Sequence, residues 1–76
     1  MRLIAGGYLP FYLPQRKHAH EINLSAPTPL KTLLQTLGVP LEEVHLAALN
    51  GELVDIESAW VTNDDVVRIF SSVNGG

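Results

Sequence analysis

The 76-residue sequence predicts an α+β fold in which one helix lies across a mixed sheet of four to five strands. Leucines repeat at helical spacing near the middle of the chain, and Gly38 follows them as a helix terminator. Strand-like segments lie on both sides of this helix. A chain this short builds one compact core, so a single sheet must pack against the helix.

The segments before the helix predict two strands and a loop. Residues 1–5 begin with β-forming side chains and predict a first strand, which Gly6-Gly7 ends or kinks. Two prolines in residues 8–14 remove backbone donors, so we interpret this segment as an ordered loop, which serves as part of the core or as an exposed docking patch. Core use is favoured in so small a domain. Residues 18–24 alternate imperfectly and predict a second strand.

The helix prediction rests on four leucines that form one apolar stripe: Leu30, Leu33, Leu34 and Leu37. We expect Thr28 to cap its N-terminus and Pro29 to occupy its first position, where no N–H is needed. Gly38 is expected to end the helix in a left-handed conformation.

After the helix, the sequence predicts three strands. Residues 44–49 predict a buried strand, Asn50-Gly51 a tight turn with positive φ, and residues 52–54 the returning strand. A polar stretch with Trp60 and a turn at residues 63–65 precede a final β-branched strand, residues 66–70. We expect the first and last strands to be central neighbours. Residues 71–76 have little bulk and are expected to point into solvent, so we divide the chain into a domain, residues 1–72, and a flexible tail, residues 73–76.

Composition excludes several classes of function. The sequence has no cysteine, which excludes disulfides, thiolate metal sites and a cysteine nucleophile, and fits a reducing cytoplasm. Its net charge of −3 and scattered basic residues offer no stripe for phosphates, so nucleic acid is not an expected partner. No apolar run approaches the roughly 20 residues of a membrane span. We therefore expect a soluble, cytoplasmic protein.

Catalytic and metal-binding arrangements are not apparent in the sequence. His18 and His20 could share a metal with His45, but no convergent carboxylate completes such a site, so we expect solvated histidines and no metal. No nucleophile–base pair is visible, and we do not expect an enzyme. The acidic residues form a solvated face or steer the domain toward a basic partner.

The Gly75-Gly76 ending is the strongest functional feature. Residues without Cβ make a tail thin enough for a narrow channel in another protein. Because a carboxylate is a poor acyl donor, a partner enzyme would have to activate it with ATP, and this chain would be the substrate. The alternative is a terminus without a role.

Three segments in order resemble the ThiS/MoaD family of sulfur carrier proteins, which are ubiquitin-like β-grasp domains ending in Gly-Gly. They are the hairpin at residues 49–54, the turn and last strand at residues 63–70, and the terminus at residues 73–76. The resemblance implies that an E1-like enzyme adenylates Gly76 and that the product becomes a thiocarboxylate. Its sulfur would then pass to a thiamin or molybdopterin precursor.

The resemblance also implies roles for particular residues and partners. Gly75 and Gly76 match the family's functional pair, Asn74 lies in the same tail, and Phe70 and Val73 match apolar positions that dock the partner in relatives. The implied partners are the E1-like enzyme, a sulfur donor such as a cysteine desulfurase or rhodanese, and thiazole synthase or the large subunit of molybdopterin synthase. No cofactor is bound by the chain itself, because the ATP is used by the activating enzyme.

Several alternatives stay open. The molybdopterin branch usually has two prolines where this chain has Ser71-Ser72, so the pathway is not assigned. Residues 37–55 also resemble the ubiquitin-like domain attached to Mut7-C-type RNases, which supports the fold and not the tail. The chain could instead be a modifier joined through Gly76 to target lysines, or a β-grasp interaction module whose glycines are incidental.

Overall fold

The structure is a computed structural model, and it describes residues 1–72. One α-helix, α1, lies among short strands in the order β1, β2, β3, α1, β4, β5, β6 and β7. The bounds are β1 Arg2–Gly6, β2 Ala19–Glu21, β3 Thr28–Pro29, α1 Leu30–Leu37, β4 Leu46–Leu49, β5 Glu52–Val54, β6 Trp60–Val61 and β7 Val66–Phe70. This arrangement confirms the predicted β-grasp fold.

The main sheet has five strands in the order β2-β1-β7-β4-β5. β1 and β7 pair in parallel at its centre, with Leu3 opposite Val67 and Gly6 opposite Phe70. β4 runs antiparallel to β7 and places Leu46 opposite Phe70. The predicted central pairing of the first and last strands is therefore confirmed.

The core lies between the sheet and α1. Alternate residues of the central strands are buried, including Leu3, Val67 and Ile69, because successive side chains of a strand point to opposite faces. The helix contributes buried Leu30, Leu33 and Leu34. Leu37 packs against this core while partly buried, and Gly38 ends the helix with a φ of 92°. The leucine stripe and its glycine terminator are confirmed.

The start of the helix differs from the prediction. Thr28 does not cap it, because its Oγ1 donates a hydrogen bond to the Ala26 carbonyl at 3.0 Å. The backbone of Thr28 and Pro29 instead pairs with Trp60 and Val61 in a small second sheet. The predicted cap is wrong because the threonine is held in this strand pair, and β6 lies in the stretch that we had interpreted as a connection.

The predicted loop at residues 8–14 is ordered and belongs largely to the core. Leu9 and Leu13 are buried, which confirms core use, whereas Phe11 is 61% exposed. Two short 3-10 helices, Leu9–Tyr12 and Pro14–Arg16, form most of this segment.

Two strands are shorter than predicted. β2 covers only Ala19–Glu21, and β4 begins at Leu46. β4 is also buried on one side only, since Ala47 is buried and Leu46 is 44% exposed. The predicted burial of this strand therefore holds on one face only, because α1 covers only that face of the sheet. The turn that follows is confirmed, with positive φ at both Asn50 and Gly51.

Ser71 corrects the predicted exit of the chain. We expected residues 71–76 to point into solvent, but Ser71 is only 3% exposed. Its Oγ accepts a hydrogen bond from the Tyr8 N–H at 3.0 Å, which makes Ser71 part of the packed domain. Within residues 1–72, no helix combines the length and apolar character that crossing a membrane requires.

Candidate functional site

The sheet has one face covered by α1 and one face open, and the open face carries exposed apolar side chains. The strand register aligns Ile4, Arg68, Ala48 and Leu53 in one row, and Gly6, Phe70 and Leu46 in the next. We call this surface the open face and define it by these residues: Ile4, Leu46, Ala48, Leu53, Arg68 and Phe70.

The apolar end of the open face lies at the end of β7. Phe70 is 39% exposed and its cross-strand neighbour Leu46 is 44% exposed, while Leu53 on the edge strand is 71% exposed. Large apolar groups that cluster on a surface are characteristic of protein interaction sites. Because β7 leads directly into the C-terminal residues, this cluster borders the point where the chain leaves the sheet.

Gly6 makes room for the Phe70 ring. A Cβ at residue 6 would lie 2.7 Å from Cδ1 of Phe70, which is closer than atoms can approach without displacement. The ring therefore lies against bare backbone of β1. The absence of a side chain at Gly6 fixes where Phe70 presents its apolar surface.

A second contact holds the end of β7, and we call it the C-terminal joint, formed by Gly7, Tyr8 and Ser71. Gly7 has a φ of +64°, and a Cβ there would overlap Ser71 Oγ and lie 3.2 Å from Ser71 Cβ. The hydrogen bond from Tyr8 to Ser71 closes the joint. On the other side of β7, the His45 N–H donates to the Phe70 carbonyl at 2.7 Å. The strand is thus fixed on both sides at its last residues.

Tyr8 is neutral in the C-terminal joint, and the ion pairs of the described residues do not involve Arg68. Partial desolvation, followed by the nearby Glu43 carboxylate, raises the pKa of the Tyr8 phenol above its usual 10.0, so Tyr8 stays neutral at physiological pH. Among the described residues, the ion pairs join Arg2 to Glu21 and Lys31 to Glu57. Arg68 takes part in neither.

A polar clamp connects the β4–β5 turn to the start of β7. Asp65 accepts hydrogen bonds from Asn50 Nδ2 at 2.9 Å and from the Thr62 N–H at 2.7 Å. The bond from Asn50 and then that from Thr62 lower the pKa of Asp65 below its usual 3.8, because they stabilise the ionised carboxylate. Asn50 Oδ1 in turn accepts from the Val66 N–H at 2.8 Å.

A cleft of about 290 Å³ lies beside the open face. Residues from the ends of β4 and β5 line it, including Leu46 and Leu53 together with His45 and Asp55. The cleft extends the exposed apolar surface toward the sheet edge.

The structure places one of the predicted site residues directly. Phe70 is exposed on the open face beside Leu46, as a docking role requires. Val73, Asn74, Gly75 and Gly76 lie outside the described residues, so their roles stay predictions. His18 and His20 contact backbone carbonyls of Ala5 and Lys17, and residues 1–72 contain no cluster of three metal-ligating side chains.

Of the six open-face residues, sequence reasoning identified only Phe70, and the exposed members that it missed are Leu46, Leu53 and Arg68. Leu46 belongs to residues 44–49, which the sequence predicts as a buried strand. No local signal marks the difference, because the neighbouring Ala47 and Ala48 are equally small although Ala47 is buried and Ala48 is only half-buried. Arg68 was treated only as a scattered base, because its apolar neighbours come from other strands.

Comparison with known proteins gives one family match. A family model described as Mut7-C ubiquitin matches residues 7–73. The match begins at the C-terminal joint, includes the open-face residues of β4, β5 and β7, and ends before Asn74. No curated protein matches the chain.

Proposed function

The chain belongs to the Mut7-C ubiquitin family of ubiquitin-like domains, and from its Gly75-Gly76 ending and its resemblance to the ThiS/MoaD family we propose that it is a sulfur carrier that works through Gly76. In this proposal the β-grasp domain docks on an E1-like enzyme in the cytoplasm. The enzyme supplies the catalysis, and the chain is its substrate.

The reaction modifies a terminal carboxylate. An oxygen of the Gly76 carboxylate attacks the α-phosphorus of ATP, pyrophosphate leaves, and an acyl-adenylate forms. The terminal sulfur of a persulfide on a donor, such as a cysteine desulfurase or rhodanese, then attacks the acyl carbon, and AMP leaves. A thiol reductant attacks the donor's sulfur in the resulting acyl disulfide, which breaks the S–S bond, releases the thiocarboxylate and leaves a disulfide on the donor. Gly75 and Gly76 suit this chemistry for two reasons. A chain without Cβ atoms fits a narrow channel of the enzyme, and glycine adopts backbone φ and ψ angles that other residues avoid.

The observation that carries the proposal is the apolar surface at the end of β7. Phe70 lies beside Leu46 on the open face, and Phe70 precedes the Gly-Gly pair by only a few residues. The C-terminal joint fixes the end of the strand at Ser71. A partner that covers Phe70 therefore has the end of β7, as far as Ser71, at a defined position beside its own surface.

The proposal allows two sulfur acceptors. For a thiamin precursor the partner is thiazole synthase, and for a molybdopterin precursor it is the large subunit of molybdopterin synthase. Ser71 occupies a position that is usually proline in the molybdopterin branch. Here its hydroxyl accepts the Tyr8 N–H, a contact that a proline side chain cannot make. The serine thus has a structural role in this chain.

A second candidate is an interaction module that is not modified at all. The family match favours it, because the match ends at residue 73 and the open face alone supplies an apolar docking surface. In that case Gly75 and Gly76 are incidental.

Intact mass spectrometry separates the candidates. The full chain is co-expressed with an E1-like enzyme and a sulfur donor, beside a variant that lacks Gly76. A carrier gains the mass difference between sulfur and oxygen only when Gly76 is present. A protein modifier would instead appear on larger proteins, and an interaction module would keep its mass. An unchanged mass, under conditions in which the same enzyme loads another carrier, would exclude sulfur carriage.

A further inference from the structure

We propose that the open face binds a partner protein surface that presents one carboxylate surrounded by apolar side chains, and that Arg68 pairs with this carboxylate. The inference rests on the docking step of the proposed function and not on the chemistry at Gly76. It names the kind of surface that the partner must offer.

The position of Arg68 is the first observation. On β7 it is exposed, with Ile4 opposite on β1 and Ala48 opposite on β4. The row continues to Leu53 on one side and to Ala19 on the other. Within this row of the described chain, every residue other than Arg68 is apolar.

Two acidic groups of the sheet and of the turn before β7 have other partners. Glu21 lies opposite Arg2 in the adjacent row and contacts it at 3.7 Å. Asp65, just before β7, accepts hydrogen bonds from Asn50 and Thr62. Among residues 1–72, no carboxylate forms an ion pair with Arg68, so within the described part of the chain its charge is not neutralised.

Covering the open face would remove water from Arg68. A guanidinium that loses its hydration without gaining a partner is strongly unfavourable, so an entirely apolar partner would be rejected. A carboxylate matches the fork of N–H donors on arginine and forms two parallel hydrogen bonds. An arginine beside an exposed aromatic ring also has the composition that dominates binding energy at protein interfaces.

Net charge limits how acidic the partner surface can be. The chain carries a net charge of −3, and a strongly acidic segment would be repelled at long range. A single carboxylate among apolar groups satisfies Arg68 while it packs against Phe70, Leu46 and Leu53. This combination distinguishes the expected partner from a purely apolar surface and from a polyanion.

The first test selects partners without assuming an enzyme. The full chain is immobilised and used to enrich a displayed library of random linear peptides, with the Phe70→Asp variant as the background. We expect enriched peptides to carry one Asp or Glu next to Leu, Ile, Val or Phe. Enriched peptides without an acidic residue, or no enrichment over the background, would overturn the proposal.

The second test measures binding of one enriched synthetic peptide, and separately of the E1-like enzyme, to charge variants. Arg68→Glu should weaken both by roughly 10-fold or more, as loss of a buried charge pair does. Lys31→Glu is the matched control, because it makes the same charge change on α1, which covers the opposite face of the sheet. Equal effects of the two substitutions would contradict a specific role for Arg68.

Folding and function are separated by two further measurements. Circular dichroism and urea unfolding check each variant, and Arg68→Gln replaces Arg68→Glu if the latter unfolds. Peptide selection that depends on Arg68, together with no mass change at Gly76, would reject sulfur carriage and keep this inference. A mass change that is insensitive to Arg68→Gln would reject this inference and keep sulfur carriage.

Discussion

Replacing Gly7 with alanine tests the C-terminal joint, because two separate penalties meet at this residue. The φ of +64° is a left-handed conformation, which costs an L-residue about 1–2 kcal/mol. The new Cβ would also overlap Ser71 Oγ, and overpacking of this kind costs about 1–3 kcal/mol. The free energy of unfolding should therefore fall by about 2–5 kcal/mol.

Gly51→Ala is the matched control. Gly51 also has a positive φ, of +90°, but no atom lies within 4 Å of the position that its Cβ would take. This substitution should cost only the backbone penalty, about 1–2 kcal/mol. The difference between the two variants then measures the contact with Ser71.

Urea unfolding of both variants, and of Gly7→Ala combined with Ser71→Gly, provides the assay. The double variant should lose less stability than the sum of its single substitutions, because Ser71→Gly removes the overlapping atoms. Equal losses for Gly7→Ala and Gly51→Ala, or additive behaviour in the double variant, would refute the joint as we describe it.

Three further predictions concern the clamp, the tail and the docking surface. Asp65→Asn should lower the urea midpoint near neutral pH and lose this effect below pH 3.8, since the lowered pKa of Asp65 contributes stability that disappears as its carboxylate is protonated; a difference that is constant with pH would contradict it. Deleting Gly76 should leave the urea midpoint nearly unchanged, because glycine has no side chain to bury, and a large loss would argue against a free tail. Gly6→Ala should weaken binding to the E1-like enzyme by displacing the Phe70 ring, and unchanged affinity would show that the ring position is unimportant.

Local sequence signals predicted the elements that depend on nearby residues. The leucine stripe and Gly38 define α1, and Asn50 with Gly51 defines a turn whose positive φ few other pairs adopt. β5 and β7 were predicted with the bounds that the structure has. In each case the physical cause lies within a few positions of the chain.

The features that the sequence did not reveal depend on distant partners. Ser71 is buried because the Tyr8 N–H, 63 positions away, reaches its hydroxyl. Thr28 does not cap α1 as expected, because it pairs with Val61 of β6. The apolar surroundings of Arg68 come from β1 and β4, so they appear only once the strand register is known.

The candidate site was predictable to a similar extent. Phe70 was recognised through the family resemblance, and the structure places it on the open face. Leu46 and Leu53 were missed because alternation is difficult to read in strands as short as β4 and β5. The sequence therefore predicted the strand that bears the site, and the register supplied the rest of the surface.

The central claim is that Phe70 docks the domain so that an E1-like enzyme can reach the C-terminal carboxylate. Exchange between ATP and labelled pyrophosphate, catalysed by that enzyme, requires both docking and adenylation. The wild-type chain should support exchange, Phe70→Ala should reduce it by roughly 10-fold or more, as loss of an interface anchor does, and the exposed-phenylalanine control Phe11→Ala should leave it unchanged. Exchange with Phe70→Ala at the wild-type rate would contradict the account.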